Sequence, residues 1–174
     1  MTRTQAREIA VQLAYEMSFT GVSAEEILET KFEPVYYATL MEEDELYSEN
    51  PEADQGEYIR RLTTAIYEHN AELEEYISRY SRGWKVSRIS RVAVAVMKTA
   101  ICEILYMDDI PNATAINEAV EIMKHYDERE VVSFVNGVLG GFIRSELGEG
   151  TPEAEAVREL ETELSAPEAE DSAE

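Results

Sequence analysis

Apolar residues recur at three- and four-residue spacings through almost all of residues 4–143, and nowhere do they alternate convincingly with period two. A helix turns every 3.6 residues and a strand every two, so this spacing predicts an all-α fold. The first face is Ala6, Ile9, Ala10, Leu13 and Met17. Ser23-Ala-Glu-Glu26 reads as a capping box opening a helix through Ile27, Leu28 and Phe32, which Pro34 kinks or restarts. An acidic loop from Glu42 to Asp54 follows, with Asn50-Pro51 as its breaker. The longest stripe covers 57–80 (Ile59, Leu62, Ile66, Leu73, Tyr76, Ile77, Tyr80), and Gly83 stops it. Another covers 85–107, from Val86 through Val96 and Ile101 to Leu105. Asn112 or Thr114 then caps a helix that buries Ile116, Ala119, Val120 and Met123. Asp127-Glu-Arg-Glu130 starts the next in the manner of a capping box, with Val131, Val135, Val138, Leu139 and Phe142 at helical spacing.

Short connections between successive amphipathic helices favour antiparallel neighbours. The expected architecture is two packed antiparallel helical subdomains of about three helices each, residues 1–80 and 81–148. They share one interface across the short link Ser81-Arg-Gly-Trp84, which holds the only Trp. Residues 149–174 carry ten acids and one arginine. A frayed helix at 153–164 is compatible with them, but the composition predicts a disordered acidic tail, because it offers too little apolar surface to offset ordering entropy.

The charge excludes several roles. Fifteen Lys and Arg against 37 Asp and Glu leave −22, which argues against a general charge-driven binder of DNA or anionic membrane. No apolar run reaches membrane-spanning length, and Arg3, Arg7 and Glu8 interrupt the N-terminus before any signal-like core, so the expected location is the cytoplasm. The single Cys102 excludes an internal disulfide and reads as a buried thiol; with two His it does not make a usual zinc site. GxSxG, P-loop, GxGxxG and HExxH motifs are absent, and Gly137, Gly140 and Gly141 lie within an amphipathic helix, where glycine permits close packing. Acidic pairs such as Glu74/Glu75 follow from abundance, and His69 and His125 sit on polar faces. The residues thus predict no enzyme, no metal and no cofactor.

Positive charge is the more useful signal. Residues 79–98 hold Arg79, Arg82, Lys85, Arg88, Arg91 and Lys98 without one acid. Two readings stand: an intramolecular counter-surface for the acidic segment 42–57, or a phosphate- or protein-binding face. A second feature is the i, i+4 row Arg3, Arg7, Val11, Tyr15, opposite the apolar face of the first helix. Guanidinium groups beside an exposed aromatic suit single-stranded RNA, where the cation holds phosphate and the ring stacks a base.

The string Ile110-Pro-Asn-Ala-Thr-Ala-Ile-Asn-Glu-Ala-Val-Glu-Ile-Met-Lys124, followed by Ser133-Phe-Val-Asn-Gly-Val-Leu139, resembles the transcription antitermination factor NusB family. Ala6-Arg-Glu-Ile-Ala-Val-Gln12 with Tyr15 is similar to that family's first helix, and Lys98-Thr-Ala-Ile-Cys-Glu-Ile-Leu105 to its central one. The resemblance spans roughly residues 3–144. It implies an all-α, non-catalytic protein that binds boxA-type single-stranded RNA of nascent ribosomal transcripts. Its partner there is the small-subunit ribosomal protein NusE, within the RNA polymerase antitermination complex. Carried over position by position, the RNA face comprises Arg3, Arg7, Gln12, Tyr15, Phe134 and Asn136. Gln12 and Asn136 suit base edges, Tyr15 and Phe134 suit stacking, and Asn136 reads equally as a buried amide tying helix ends together.

Three positions depart from the pattern. Only Arg3 and Arg7 stand where the family has a denser arginine cluster, Ser133 replaces a Lys, and Ala93-Val94 replaces an acidic–basic pair ahead of the central helix, which by the resemblance removes part of the ribosomal-protein docking surface. Each lost cation removes about one phosphate contact, so weaker and less salt-sensitive RNA binding is expected. The alternative is a protein-interaction module of the same fold with little RNA affinity. An RNA cytosine methyltransferase fragment is disfavoured, since no cofactor-binding α/β region follows residue 148.

Overall fold

The computed structural model describes residues 1–82 and 88–167. Helix α1 (Arg3–Thr20) opens on a complete capping box: Thr2 accepts from the Gln5 amide, and the Gln5 side chain accepts from the Thr2 amide at 2.8 Å. It closes at Gly21, whose φ of 68° is one that side chains with a Cβ resist. Ser23 caps α2 (Ala24–Lys31) through the Glu26 amide. Pro34 occupies the first turn of α3 (Pro34–Glu43), so it restarts the chain rather than kinking one helix. The acidic loop contains a single 3-10 turn, Glu45–Tyr47, before α4 (Ala53–Glu68).

The expected stripe over 57–80 is two helices, α4 and α5 (Asn70–Tyr80), broken at His69. The His69 ring stacks on Tyr106 at 3.9 Å. The pattern hides the break because Ile66 and Leu73 lie seven residues apart, two helical turns, and both remain buried. Ser90 caps α6 (Arg91–Tyr106); Gly83, Trp84, Lys85 and Val86 fall outside the described residues. Neither Asn112 nor Thr114 caps α7 (Asn112–Tyr126): Pro111 precedes it, and the Asn112 amide donates to Glu153 instead. Helix α8 (Arg129–Glu146) also lacks a side-chain cap, since Asp127 accepts from the Glu128 amide without forming the expected box.

Helix α6 is the axis of the fold. It packs against α1, α4, α5, α7 and α8, and its side chains from Ala95 to Ile104 are all buried. One contiguous buried cluster runs from Ala6 on α1 to Leu160. Five helices precede Ser81, more than the three expected there. Among the described residues there is no strand.

The C-terminal segment departs most from expectation. In place of a disordered tail from residue 149, Pro152–Ser165 forms α9, packed on α7 and α8. Ala154, Val157 and Leu160 repeat at three-residue spacing, and each is buried. Thr151 caps it, and Arg129 donates to the carbonyls of Glu163 and Leu164 at its far end. Three small apolar residues weigh little in a composition, yet suffice to seat a helix when placed on one face. Close packing explains two of the three α8 glycines: a Cβ on Gly140 would lie 2.7 Å from Val157 Cγ1, and one on Gly141 3.2 Å from the Tyr80 ring, whereas Gly137 has open space.

Candidate nucleic-acid interface

Arg7 is where sequence and structure part most sharply. It is only 2 % exposed. Its Nε donates to both carboxylate oxygens of Glu103 at 3.0 and 3.1 Å, and Nη1 donates to Glu118 at 3.1 Å. Tyr58 donates its hydroxyl to the same Glu103, and Thr4 donates to Glu118 at 2.8 Å. Burial pushes the Glu103 carboxyl above the usual carboxylate range, although Arg7 and Tyr58 hold it back. Burial works against the Arg7 charge too, but Glu103 and Tyr58 outweigh it and its pKa is raised. Tyr58 is pushed up by burial and then by Glu103.

The row Arg3, Arg7, Val11, Tyr15 is therefore not a solvent face. Val11 is also buried, because α1 lies between α4 and α6 and hides most of its circumference. The ends of the row stay accessible. Arg3 is half-buried, with its guanidinium carbon 4.1 Å from the centre of the Tyr58 ring. Tyr15 is half-buried and meets Phe19 edge to face, centroids 4.6 Å apart. Gln12 between them is occupied. Its amide donates to the Tyr126 hydroxyl at 3.3 Å, its oxygen accepts from Tyr47 at 2.8 Å, and Tyr126 donates onward to Glu8 at 2.7 Å. Burial and the bond to Glu8 push Tyr126 up to about 12. This network ties α1 to the end of α7.

On α8 the two expected residues face different surroundings. Asn136 is fully buried beneath α9; its amide donates to the Val157 carbonyl at 3.4 Å and its oxygen has no partner. Phe134 is half-buried and lines a groove of about 540 Å³ between α5 and α8, shared with Arg79, Tyr80, Arg82, Gly137 and Arg144. Tyr15 and Phe134 stand on different helices, each packed on α6.

The basic run 79–98 divides into two kinds of cation. Lys98 is buried and bonded to Asn70 and Glu74 at 2.7 and 2.8 Å, while Arg79 pairs with Glu75 and Glu146. None of these acids belongs to segment 42–57, so among the described residues the run is not paired with that segment. Arg82, Arg88 and Arg91 are exposed and form no ion pair among the described residues. Lys85 lies outside the described residues.

One residue that the sequence reading did not select, Phe19, stands beside Tyr15, and Arg91 of the basic run lies over it. Phe19 is 53 % exposed, and the Arg91 guanidinium carbon sits 4.4 Å from its ring centre. Arg91 also donates to the Ser18 carbonyl at 3.0 Å. Phe19 falls outside the apolar stripe, and an off-stripe aromatic four residues after Tyr15 was the available signal. Cys102 is buried, with its thiol pushed up to about 12 by burial. Among the described residues no cluster of His, Cys, Asp and Glu could hold a metal ion, and no helix is long and apolar enough to cross a membrane.

Residues 4–144 match the model of the NusB family. The chain is 37 % identical over 147 residues to a protein of Acetivibrio thermocellus named transcription antitermination protein NusB, covering 84 % of this chain and 92 % of that one. A protein of the same name from Symbiobacterium thermophilum is 33 % identical over 152 residues, covering 85 % and 93 %. Among solved structures, NusB of T. maritima superposes with a TM-score of 0.66 at 26 % identity, covering 91 % of this chain and 98 % of that one. Helix α9 begins beyond the family match.

Proposed function

Because this chain belongs to the NusB family, we propose that it is a non-catalytic cytoplasmic factor of transcription antitermination. It binds boxA-type single-stranded RNA of nascent ribosomal transcripts jointly with the ribosomal protein NusE. The observation that carries the RNA reading is the groove between α5 and α8, where the Phe134 ring sits among Arg79, Arg82 and Arg144. The ring offers stacking and Arg82, which forms no ion pair among the described residues, offers phosphate neutralisation, while Arg79 and Arg144 are held there by Glu75, Glu146 and Glu161. Arg3 and Tyr15 extend this chemistry on α1. Arg7, Gln12 and Asn136 act from beneath, the first two by holding α1 on α6 and α7 and the third by holding α9 on α8.

A protein-interaction module with little RNA affinity is the second reading, favoured by the withdrawal of Arg7 and Asn136 from solvent. One titration separates the two. The protein is titrated with boxA-like RNA and with a scrambled RNA, with and without the ribosomal partner, at two salt concentrations. The RNA reading expects tighter binding of the boxA-like RNA, strengthened by the partner. Equal binding of both RNAs with the partner present overturns it.

A further inference from the structure

Helix α8 ends at Glu146, and the chain reverses at Gly148, whose φ of 104° is one that residues with a Cβ resist. The Thr151 hydroxyl donates to the Gly148 carbonyl at 3.1 Å, and Arg158 donates to the Glu149 carbonyl at 3.4 Å, so the turn is tied to α9. Helix α9 then runs back along α8: Val157 meets Gly140, and Arg129 at the start of α8 holds the carbonyls at the end of α9. This reversal brings two carboxylates to the groove of Phe134. Glu149 lines the groove, and Glu161 pairs with one of its cations, Arg144, at 3.6 Å. The Arg144 guanidinium lies against Gly140, where a Cβ would stand 3.1 Å from Nη1. Arg144 is the last residue of the family match, so the groove lies within that match and the acids that reach it lie beyond.

We propose that Glu149 and Glu161 compete with RNA phosphate in the α5–α8 groove, so that the C-terminal segment sets how tightly the chain holds its RNA. Glu161 gives Arg144 the anion that a phosphate would otherwise give it, and Glu149 places a like charge where the phosphate enters. This rests on the RNA reading and concerns the strength of that binding. The pair is open to exchange, since the Arg144 and Glu161 side chains are 33 % and 44 % exposed and exposed pairs hold weakly. A phosphate oxygen makes the same kind of charge-assisted bond to a guanidinium as a carboxylate does.

The test uses the full chain and four variants, each first shown by thermal unfolding to be folded. Glu149→Gln with Glu161→Gln should tighten boxA-like RNA binding about two- to fivefold, the range an exposed pair commands. It should also steepen the slope of log K against log salt by about 0.7, one phosphate of a single strand. Glu155→Gln with Glu159→Gln removes the same charge from exposed positions of α9 that do not line the groove. It should change affinity less than about twofold at roughly 0.15 M salt, where the screening length is about 8 Å. Arg144→Gln alone should also change binding less than about twofold, because Glu161 already neutralises Arg144; added to Glu149→Gln with Glu161→Gln, it should remove most of the gain. A pair that merely held α9 would move the thermal midpoint and leave RNA affinity untouched. If Glu149→Gln with Glu161→Gln binds no tighter than the wild type, while the wild type still prefers boxA-like over scrambled RNA, this proposal fails and the RNA reading stands. A gain matched by the Glu155 and Glu159 variant, or undiminished by Arg144→Gln, overturns competition at the groove. Wild-type protein that binds neither RNA overturns both.

Discussion

Replacing Arg7 by methionine keeps most of the stem volume and deletes the charge. The Glu103 carboxylate, 0 % exposed, then retains one hydroxyl donor, from Tyr58, and still feels the negative charge of Glu118. Breaking a buried pair by removing one partner costs about 3–5 kcal/mol, because the remaining charge is buried and uncompensated. Against a typical stability of about 5–15 kcal/mol this is between about a fifth and the whole of the margin. For a chain of this length it corresponds to a fall in Tm of roughly 6–20 °C. The pH dependence gives a second signature. Glu103 in the folded protein already lies above its ordinary value, and losing Arg7, which holds it down, raises it further. A group whose pKa is raised by folding contributes stability that is present at low pH and lost as pH rises through the folded value. Arg7→Met should therefore be most destabilised at the higher of two pH values and regain part of the loss at the lower, as read by urea unfolding at both. Arg7→Met with Glu103→Leu should recover much of the deficit, because no buried charge remains. Wild-type unfolding together with a shallower RNA salt slope would refute the reasoning and put Arg7 at the surface on phosphate.

Removing residues 149–174 should lower the thermal midpoint by several degrees, since it uncovers the Val157 and Leu160 seats on α7 and α8; an unchanged midpoint would show that α9 does not hold. Val120→Asp places a charge at a fully buried position of α7 and should cost several kcal/mol, on the order of the whole margin, so soluble mutant protein with wild-type unfolding would mean the wrong face was assigned.

The helical faces were legible because burial follows a period, and Ala6, Ile9, Leu13, Leu62, Ile116, Val120 and Phe142 are all buried where the spacing puts them. What spacing does not carry is the environment of a polar residue on the edge of a stripe. Arg7 looked outward because it is an arginine; what turns it inward is Glu103, 96 residues away and set in the apolar stretch Ala100-Ile-Cys-Glu-Ile104. That lone acid was the legible sign, since a buried carboxylate requires a cation. The break at His69 was hidden because a two-turn spacing preserves the stripe across it. Helix α9 was hidden because composition averages over residues, while docking depends on the few that share a face. On α8, Phe134 and Asn136 are two residues apart and so on opposite sides of the helix. One borders the groove of Arg79, Arg82 and Arg144 and the other is sealed beneath α9, a distinction that only the packing of a segment beyond the family match supplies.

The distribution of pairing, rather than the net charge, sets how strongly salt weakens RNA binding. Among the described residues outside α9, Arg3, Arg82, Arg88 and Arg91 have no carboxylate within ion-pair distance, whereas Arg7, Lys31, Arg60, Arg61, Arg79, Lys98, Lys124 and Arg144 have one. A cation already neutralised by its own acid releases few counterions from RNA on binding. At most about four phosphates are then engaged, and at roughly 0.7 per phosphate the slope of log K against log salt should be no steeper than about −3. A slope steeper than about −5, measured by titration of the protein alone between two salt concentrations, would mean that internal pairs such as Arg79 with Glu75 open to the ligand. Exposed pairs are worth about 0–1 kcal/mol, so opening them is energetically accessible. What opposes it is the field of the chain's remaining acids, which repel the same phosphates over a screening length of about 8–10 Å. Adding salt weakens that repulsion along with the attraction, and this compensation is why a −22 chain carrying a few well-placed free arginines should show a shallow slope rather than none.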